Sequence, residues 1–293
     1  MVATGTGPIA GLGGDTVPDV EALIEQGQAL AKEQQFDEAL RVLEQAVRLA
    51  PECEQAVVAY RETVSQYTKQ LEQNGQYQYV CNVFDHALTL LPDSYVLLND
   101  YGCSSANVGE FNKASQLFKR SIAINNRHAP TYISYTKILA DQGNDEQMIQ
   151  LLEQFTALDN LDVKAIHEYG RFLRNEGHYE WTTRLFEKAL AVDKHYVRTY
   201  ISYTKLLTDW GKDQEVILLL ERFMNLDNLD AKTIIRYARA LQNQGNHKWV
   251  ALLLEQALAI DDRHVITLNR YAQLLMKQGN DERAALLFEK SIA

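Results

Sequence analysis

The sequence predicts an all-α solenoid of antiparallel helix hairpins, because two residue types recur with a fixed step of 34 positions. Tyrosine keeps this step seven times, at Tyr67, Tyr101, Tyr135, Tyr169, Tyr203, Tyr237 and Tyr271. Glycine keeps it seven times as well, at Gly75, Gly109, Gly143, Gly177, Gly211, Gly245 and Gly279. A 34-residue period is typical of helical-hairpin repeats, in which each unit buries an apolar face against its neighbours.

Each unit is predicted to contain two helices separated by its glycine. Tyr169 and Leu173 illustrate the helical spacing of apolar residues before the glycine, and a second apolar stripe follows it. Glycine at the end of a helix supplies the left-handed backbone conformation that lets the chain reverse direction. Asp162 and Asp230 stand in the links between units, where we expect them to cap the following helices.

The period also divides the chain into predicted regions. Residues 1–18 are rich in Gly and Thr and are predicted to be a flexible leader or linker. Residues 19–94 hold the first two units, in which an insertion of seven residues extends a helix near 54–73. Residues 95–293 hold a regular array of six units, the last incomplete. A solenoid needs a polar cap over its final apolar face. The missing cap predicts either a longer protein or self-association through the C-terminal end.

A longer period is superimposed on the short one. The hexapeptide YISYTK occupies 132–137 and again 200–205, so the copies are 68 residues apart. Over the surrounding stretches, 131–164 and 199–232, 22 of 34 positions are identical. We infer that a block of two units was duplicated.

Residues 20–53, VEALIEQGQALAKEQQFDEALRVLEQAVRLAPEC, resemble the tetratricopeptide repeat, with Gly27, Ala39, Ala46 and Pro51 at the family's signature positions. Later units keep part of the signature, at Ala87, Pro92, Gly102, Ala114, Phe118, Ala272, Ala284 and Phe288. The resemblance implies about eight repeats in a right-handed superhelix. It also implies that the first helix of each hairpin lines a concave groove that binds other proteins.

The family's groove-facing positions carry a nearly continuous row of basic and amide residues here. The candidate peptide-binding residues are Lys69, Asn107, Lys137, Lys164, Arg171, Arg174, Asn175, Arg198, Lys205, Lys232, Arg239 and Asn243. His167 is predicted to face the groove near Arg171. An extended, acidic peptide is the expected guest, because carboxylates bind basic side chains and amides hold a peptide backbone. The alternative is a solvated surface, in which Lys137 with Asp141 and Lys205 with Asp209 form pairs one helical turn apart.

Composition and motifs argue against several other functional classes. The formal net charge of −10 disfavours general nucleic-acid binding. No run approaches the roughly 18 apolar residues of a membrane helix, so we expect no membrane insertion and a cytoplasmic location. Three cysteines and seven histidines show no metal-ligand spacing. Since no phosphate-binding loop or catalytic motif is present, we expect no enzyme activity, cofactor or metal.

Two other functional hypotheses remain open at this point. The array is also suited to serve as the recognition or sensor module of a larger regulatory protein. Single-stranded RNA binding along the same row is the second alternative, but it requires aromatic rings interleaved with the basic residues. The tyrosine column is expected to pack inside the hairpins, which leaves few rings for stacking against bases.

Overall fold

The computed structural model describes residues 19–292, in which all regular secondary structure is α-helical. Sixteen helices follow one another in eight consecutive pairs within this range, and a short turn joins the two helices of each pair. The predicted all-α fold and its helical-hairpin period are therefore confirmed. The predicted leader at 1–18 lies outside the described residues.

The helices belong to two compact units, one ending at Asn125 and the other beginning at Asn126. The first unit contains α1 (Val20–Lys32), α2 (Phe36–Leu49), α3 (Glu54–Gln73), α4 (Tyr77–Leu90), α5 (Tyr95–Asn107) and α6 (Phe111–Ile124). The second unit contains α7 (Ala129–Asp141), α8 (Asp145–Ala157), α9 (Val163–Asn175), α10 (Tyr179–Val192), α11 (Val197–Asp209), α12 (Asp213–Met224), α13 (Ala231–Asn243), α14 (His247–Ile260), α15 (Val265–Lys277) and α16 (Asp281–Ile292). The boundary expected at 94/95 from the sequence stays a prediction.

The turn inside each hairpin has the backbone conformation that the glycine column predicts. All seven glycines of the column have positive φ angles, between 65° and 82°. In the first hairpin Gln34 occupies the equivalent position with φ 62°. At Gly177 the backbone N–H donates to the Arg174 carbonyl at 3.1 Å, and the N–H of His178 donates to the Leu173 carbonyl at 2.9 Å. These bonds close the end of α9 and turn the chain back into α10.

The links that precede α9 and α13 share a second left-handed residue. Asn160 and Asn228 have φ angles of 53° and 55°, and asparagine is among the few non-glycine residues that adopt this conformation readily. Two residues later, Asp162 accepts a hydrogen bond from the Ala165 N–H at 3.1 Å and Asp230 accepts one from the Thr233 N–H at 2.7 Å. The predicted N-caps of both helices are confirmed.

The tyrosine column lies in the core, as predicted. Tyr101, Tyr135, Tyr169, Tyr203, Tyr237 and Tyr271 are buried, and Tyr67 is half-buried. Their hydroxyl groups make polar contacts to neighbouring side chains, such as the 2.5 Å hydrogen bond between Tyr169 and Thr136. The rings therefore supply packing between successive hairpins, and each buried hydroxyl that finds a partner avoids the cost of losing water.

The duplicated hexapeptide forms the same aromatic cluster twice. The ring of Tyr132 lies 4.8 Å from that of Phe155, which lies 5.0 Å from that of Tyr169, both edge to face. One block later the corresponding spacings are 5.0 Å and 4.8 Å, among Tyr200, Phe223 and Tyr237. In each copy a threonine hydroxyl also forms a hydrogen bond with the hydroxyl of the last tyrosine in the cluster: Thr136 with Tyr169, and Thr204 with Tyr237. Identical packing explains why both copies retain this sequence.

Candidate peptide-binding groove

The second unit contains an open groove of about 360 Å³ where α9, α11 and α13 lie side by side. The groove is lined by His167, Arg171, Arg174, Arg198, Ile201, Ser202, Lys205 and Gln244. Four of these are cations that the sequence places among the candidate binding residues. Two come from the second half of α9 and two from α11, because positions nine and twelve of one hairpin face positions two and nine of the next.

The four cations differ in how far the protein already neutralises them. Arg171 forms an ion pair with Glu168, one helical turn back, at 3.0 Å. The half-buried Arg174 donates a 3.0 Å hydrogen bond to the Asn175 side-chain oxygen. Among the ion pairs of residues 19–292, none involves Arg198 or Lys205. Those two side chains remain available to an anionic guest.

The alternative, a surface whose charges neutralise one another, predicts two specific ion pairs. Neither Lys137 with Asp141 nor Lys205 with Asp209 forms an ion pair within 4.0 Å in the described part of the chain. Lys205 is only half-exposed, whereas Lys137 is exposed. Asp209 instead interacts electrostatically with Arg174. Burial lowers the pKa of Arg174, the positive charge of Arg171 lowers it as well, and the negative charge of Asp209 raises it.

His167 lies at the floor of the groove and is buried, with 2% of its surface exposed. Its ring stacks on Phe186, with centroids 5.7 Å apart, and its Nδ1 lies 3.2 Å from the hydroxyl oxygen of Thr199. Burial is the largest cause that lowers the pKa of His167 to about 4; Glu168 opposes this shift, and the positive charges of Arg171, Arg198 and Arg174 add to it. The imidazole is therefore neutral at pH 7. The sequence predicts its position near Arg171 correctly but not its burial.

Three further groove residues are absent from the sequence-based set. Ile201 contributes apolar surface, Ser202 a nearly buried hydroxyl, and Gln244 an amide. The side-chain Oε1 of Gln244 is buried and accepts no hydrogen bond from the described residues. Gln244 immediately precedes a hairpin glycine, so a pattern restricted to the groove-facing positions of the first helices does not include it.

The remaining candidate residues lie outside this groove. Lys137, Lys164, Asn175, Lys232, Arg239 and Asn243 are exposed on α7, α9 and α13, and Asn107 is exposed on α5 of the first unit. Lys69 belongs to the first unit, where it lines a separate groove of about 630 Å³ together with Lys32 and several amide side chains. Four of the twelve candidate residues therefore line this groove, and the other eight do not.

Two other properties of residues 19–292 bear on the expected function. Their helices are too short or too polar to span a bilayer. Their His, Cys, Asp and Glu side chains form no group of three or more that could hold a metal ion.

Comparison with known proteins places the first hairpin in a family. Residues 20–53 match the family described as tetratricopeptide repeat. The search of curated proteins gave no match to this sequence. Among solved structures, the chain is similar to a tetratricopeptide repeat protein from Parabacteroides merdae ATCC 43184, with 15% identity, a TM-score of 0.40, and coverage of 94% of this chain and 99% of the other.

Two further solved structures have comparable scores. Pseudomonas aeruginosa pilF is 15% identical, with a TM-score of 0.38 and coverage of 74% of this chain and 97% of the other. The human IFIT1 dimer with PPP-AAAA is 13% identical, with a TM-score of 0.38 and coverage of 94% and 72%. Likenesses at this level place no constraint on what this chain binds.

The helix pairs and their fixed period define a helical-hairpin repeat protein. More specifically, residues 20–53 match the tetratricopeptide repeat, and the later hairpins, which continue the same 34-residue period, are consistent with about eight repeats of this kind. Such stacked repeats are scaffolds typical of protein–protein interaction, because the stacked first helices present an extended surface to a partner.

Proposed function

We propose that this protein is a scaffold whose second unit binds an extended, acidic segment of a partner protein in the groove between α9, α11 and α13. The observation that carries the proposal is the convergence of Arg171, Arg174, Arg198 and Lys205 on one groove. Only Arg171 among them has an ion-pair partner within the described residues. An overall acidic protein that gathers four cations in one groove favours an anionic guest.

The groove also offers groups that would orient a peptide. Guanidinium groups bind carboxylates through two parallel hydrogen bonds, so Arg174 and Arg198 would fix both the position and the direction of an acidic side chain. The side-chain amide of Gln244 would hydrogen-bond to the backbone of the guest. Ile201 would pack against an adjacent apolar side chain of the guest.

The basic and amide residues outside the groove have a secondary role in this proposal. Lys137, Lys164, Lys232 and Arg239 are exposed, and they would raise the rate of encounter with an acidic partner by long-range attraction. The predicted backbone-holding role of Asn107 and Asn243 remains a prediction. Asn175 already accepts a hydrogen bond from Arg174, so its oxygen would have to exchange partners to bind a guest.

The other functional classes are less well supported by this groove. Its lining side chains include no Phe, Tyr or Trp within the described residues, so single-stranded RNA would find cations but no stacking platform. A recognition module of a larger regulatory protein would use the same groove, so that hypothesis remains an alternative to a free-standing adaptor. A cytoplasmic location and the lack of a catalytic role remain predictions.

The test compares a groove variant with a matched control. The groove variant is Arg171→Gln/Lys205→Gln, and the control, Arg236→Gln/Lys277→Gln, removes one arginine and one lysine that are exposed elsewhere in the second unit. The probes are fluorescein-labelled decapeptides of alternating Gly and Glu, or of alternating Gly and Gln, measured by fluorescence polarisation. We expect the Glu peptide to lose at least about tenfold in affinity, or about 1.4 kcal/mol, with the groove variant and less than about twofold with the control.

Three outcomes would count against the proposal. Equal binding of the Glu and Gln peptides would show that acidity is not recognised. If both variants weakened binding of the Glu peptide equally, the loss of affinity would reflect the change in the protein's net charge and not the groove. Tighter binding of an oligouridylate than of the Glu peptide, with a steep dependence on salt, would favour the RNA alternative instead.

A further inference from the structure

The charges around the groove in the second unit do not balance. Four cations line it, and two carboxylates act on them: Glu168 pairs with Arg171 at 3.0 Å, and Asp209 interacts with Arg174. Four positive and two negative charges leave a surplus of two positive charges. A protein with a net charge of −10 has this surplus concentrated in a space of about 360 Å³.

The cations are also close enough to repel one another. Arg171, Arg174 and Arg198 all act on the single imidazole of His167 at the groove floor, and Arg171 acts directly on Arg174. Like charges held together in a partly buried place destabilise the empty site. An anion that enters the groove relieves this repulsion for several side chains at once. The more charge the anion carries in a small volume, the larger the relief.

A phosphate monoester matches this surplus better than a carboxylate does. It carries a charge of about −1.5 to −2 at pH 7 and presents three acceptor oxygens. A carboxylate carries one charge and two oxygens, so it would leave part of the surplus unpaired. Arginine is the residue best suited to bind phosphate through paired hydrogen bonds, and three of the four groove cations are arginines.

We propose that the groove between α9, α11 and α13 recognises a phosphorylated serine or threonine within an extended segment of the partner protein. This inference rests on the proposed function and names the chemical group that the groove selects. Arg174, Arg198 and Lys205 bind the phosphate oxygens, and Arg171 contributes while it remains paired with Glu168. Gln244 and Ser202 bind the backbone next to the phosphorylated residue.

A peptide is the favoured source of the phosphate because the groove contains more than cations. Gln244 supplies a side-chain amide, which suits the alternating donors and acceptors of a peptide backbone. Ile201 supplies apolar surface beside the charged side chains. A free phosphate ion would leave this apolar surface unused.

The experiment uses three degenerate nonapeptide pools that differ only in a fixed central residue: phosphoserine, glutamate or serine. Binding of each pool to the full chain is measured by fluorescence polarisation at about physiological ionic strength, so that non-specific attraction is screened. We expect the phosphoserine pool to bind at least about tenfold more tightly than the glutamate pool. The variant Arg174→Gln/Arg198→Gln should abolish this preference, while Arg236→Gln/Arg263→Gln, which removes two exposed arginines outside the groove, should retain it.

The possible outcomes separate this inference from the function on which it rests. If the glutamate pool binds as tightly as the phosphoserine pool, the inference is wrong and the acidic-peptide proposal stands. If neither pool binds better than the serine pool, both are wrong. If free phosphoserine or inorganic phosphate displaces the pool at the concentration at which the peptides themselves bind, the ligand is a small phosphorylated molecule and not a peptide. Thermal unfolding of all variants shows whether they remain folded.

Discussion

Residues 163–205 and 231–273 occupy corresponding places in the duplicated blocks, yet only the first of these stretches forms the basic groove. Three of its cations, Arg174, Arg198 and Lys205, correspond 68 residues later to Gln242, Ile266 and Gln273. Arg171 alone keeps its charge, as Arg239. The helices of the two stretches have the same bounds, α9 and α11 in one and α13 and α15 in the other. The difference shows that the exposed cations can change while the helix pairs are retained.

The buried residues beneath the two stretches differ as well. His167 in the first corresponds to the buried Ile235 in the second. Gly170, which packs against Phe186, corresponds to Ala238, and Phe186 corresponds to Leu254. Each pair fills a similar space with a different division between large and small side chains. The exposed and buried differences together provide three ways to test the comparison.

The largest effect is expected from acid titration of His167. Its pKa is about 4 in the folded state and about 6.5 when unfolded. Between these values the unfolded chain binds more protons, so the stabilisation is fully present above about pH 6.5 and falls as the pH drops towards 4. The total loss is on the order of 3 kcal/mol. Urea unfolding measured from about pH 4 to 7 should show this slope.

The control for this titration is His167→Ile, which introduces the residue found at position 235. Its unfolding should depend less on pH over the same range, because the group that gains the proton is gone. The carboxylates of both proteins titrate alike, so the difference between the two curves isolates the histidine. Parallel curves would show that His167 does not limit acid stability. The variant also leaves the Thr199 hydroxyl without its imidazole partner, which lowers its stability at neutral pH.

A smaller effect is expected from Gly170→Ala. A Cβ added at Gly170 would lie 2.7 Å from Cε1 of the buried Phe186 ring, so either the ring or the helix must shift. Overpacking of this kind costs about 2 kcal/mol. The second change Phe186→Leu, which reproduces the Ala238 and Leu254 pair, should recover part of the loss. Chemical unfolding of both single variants and the double variant gives the coupling energy, and strict additivity would contradict direct packing between the two positions.

The smallest effect is expected from transferring the basic groove to the second stretch. The triple variant Gln242→Arg/Ile266→Arg/Gln273→Lys restores the missing cations around Arg239. Ile266 and Gln273 are exposed, so the change should cost little stability. Isothermal titration with the alternating Gly–Glu peptide should then show two bound peptides per chain, with the second within about tenfold of the first. An unchanged stoichiometry of one would show that cations at these positions are insufficient, and that Gln244 or His167 is also required.

The fold of this protein follows from regularities that recur along the chain. The tyrosine and glycine columns predict the hairpins, the buried rings and the reversing turns, because each feature depends on residues that are close in sequence. Asp162 and Asp230 cap helices as predicted for the same reason. Because the same residue spacing recurs in successive units, a departure in one unit does not obscure the pattern.

The groove depends on contacts between successive hairpins, and these are harder to predict. The sequence pattern assigns basic residues to α9 and α11, but side-chain reach across helices determines that Arg171 and Arg174 meet Arg198 and Lys205. The pair expected between Lys205 and Asp209 does not form, since Asp209 acts on Arg174 instead. His167 is buried because Phe186 and Tyr196 enclose its ring, with centroids 5.7 and 5.5 Å away. No spacing rule within a single unit contains that information.

The paired hydroxyls of Thr136 with Tyr169 and of Thr204 with Tyr237 have a consequence for how such a gene can change in length. Both bonds connect a hairpin that carries the sequence YISYTK to the hairpin that follows it. Two kinds of interface therefore alternate along residues 129–264. Recombination that removes 163–230 would join 162 to 231 and bring Thr136 opposite Tyr237, which restores the lost bond. Removal of 197–230 alone would instead bring Gly170 opposite Tyr237, so this bond would be lost. Loss or gain in steps of two hairpins therefore keeps this bond, and one such step would remove all four cations of the groove.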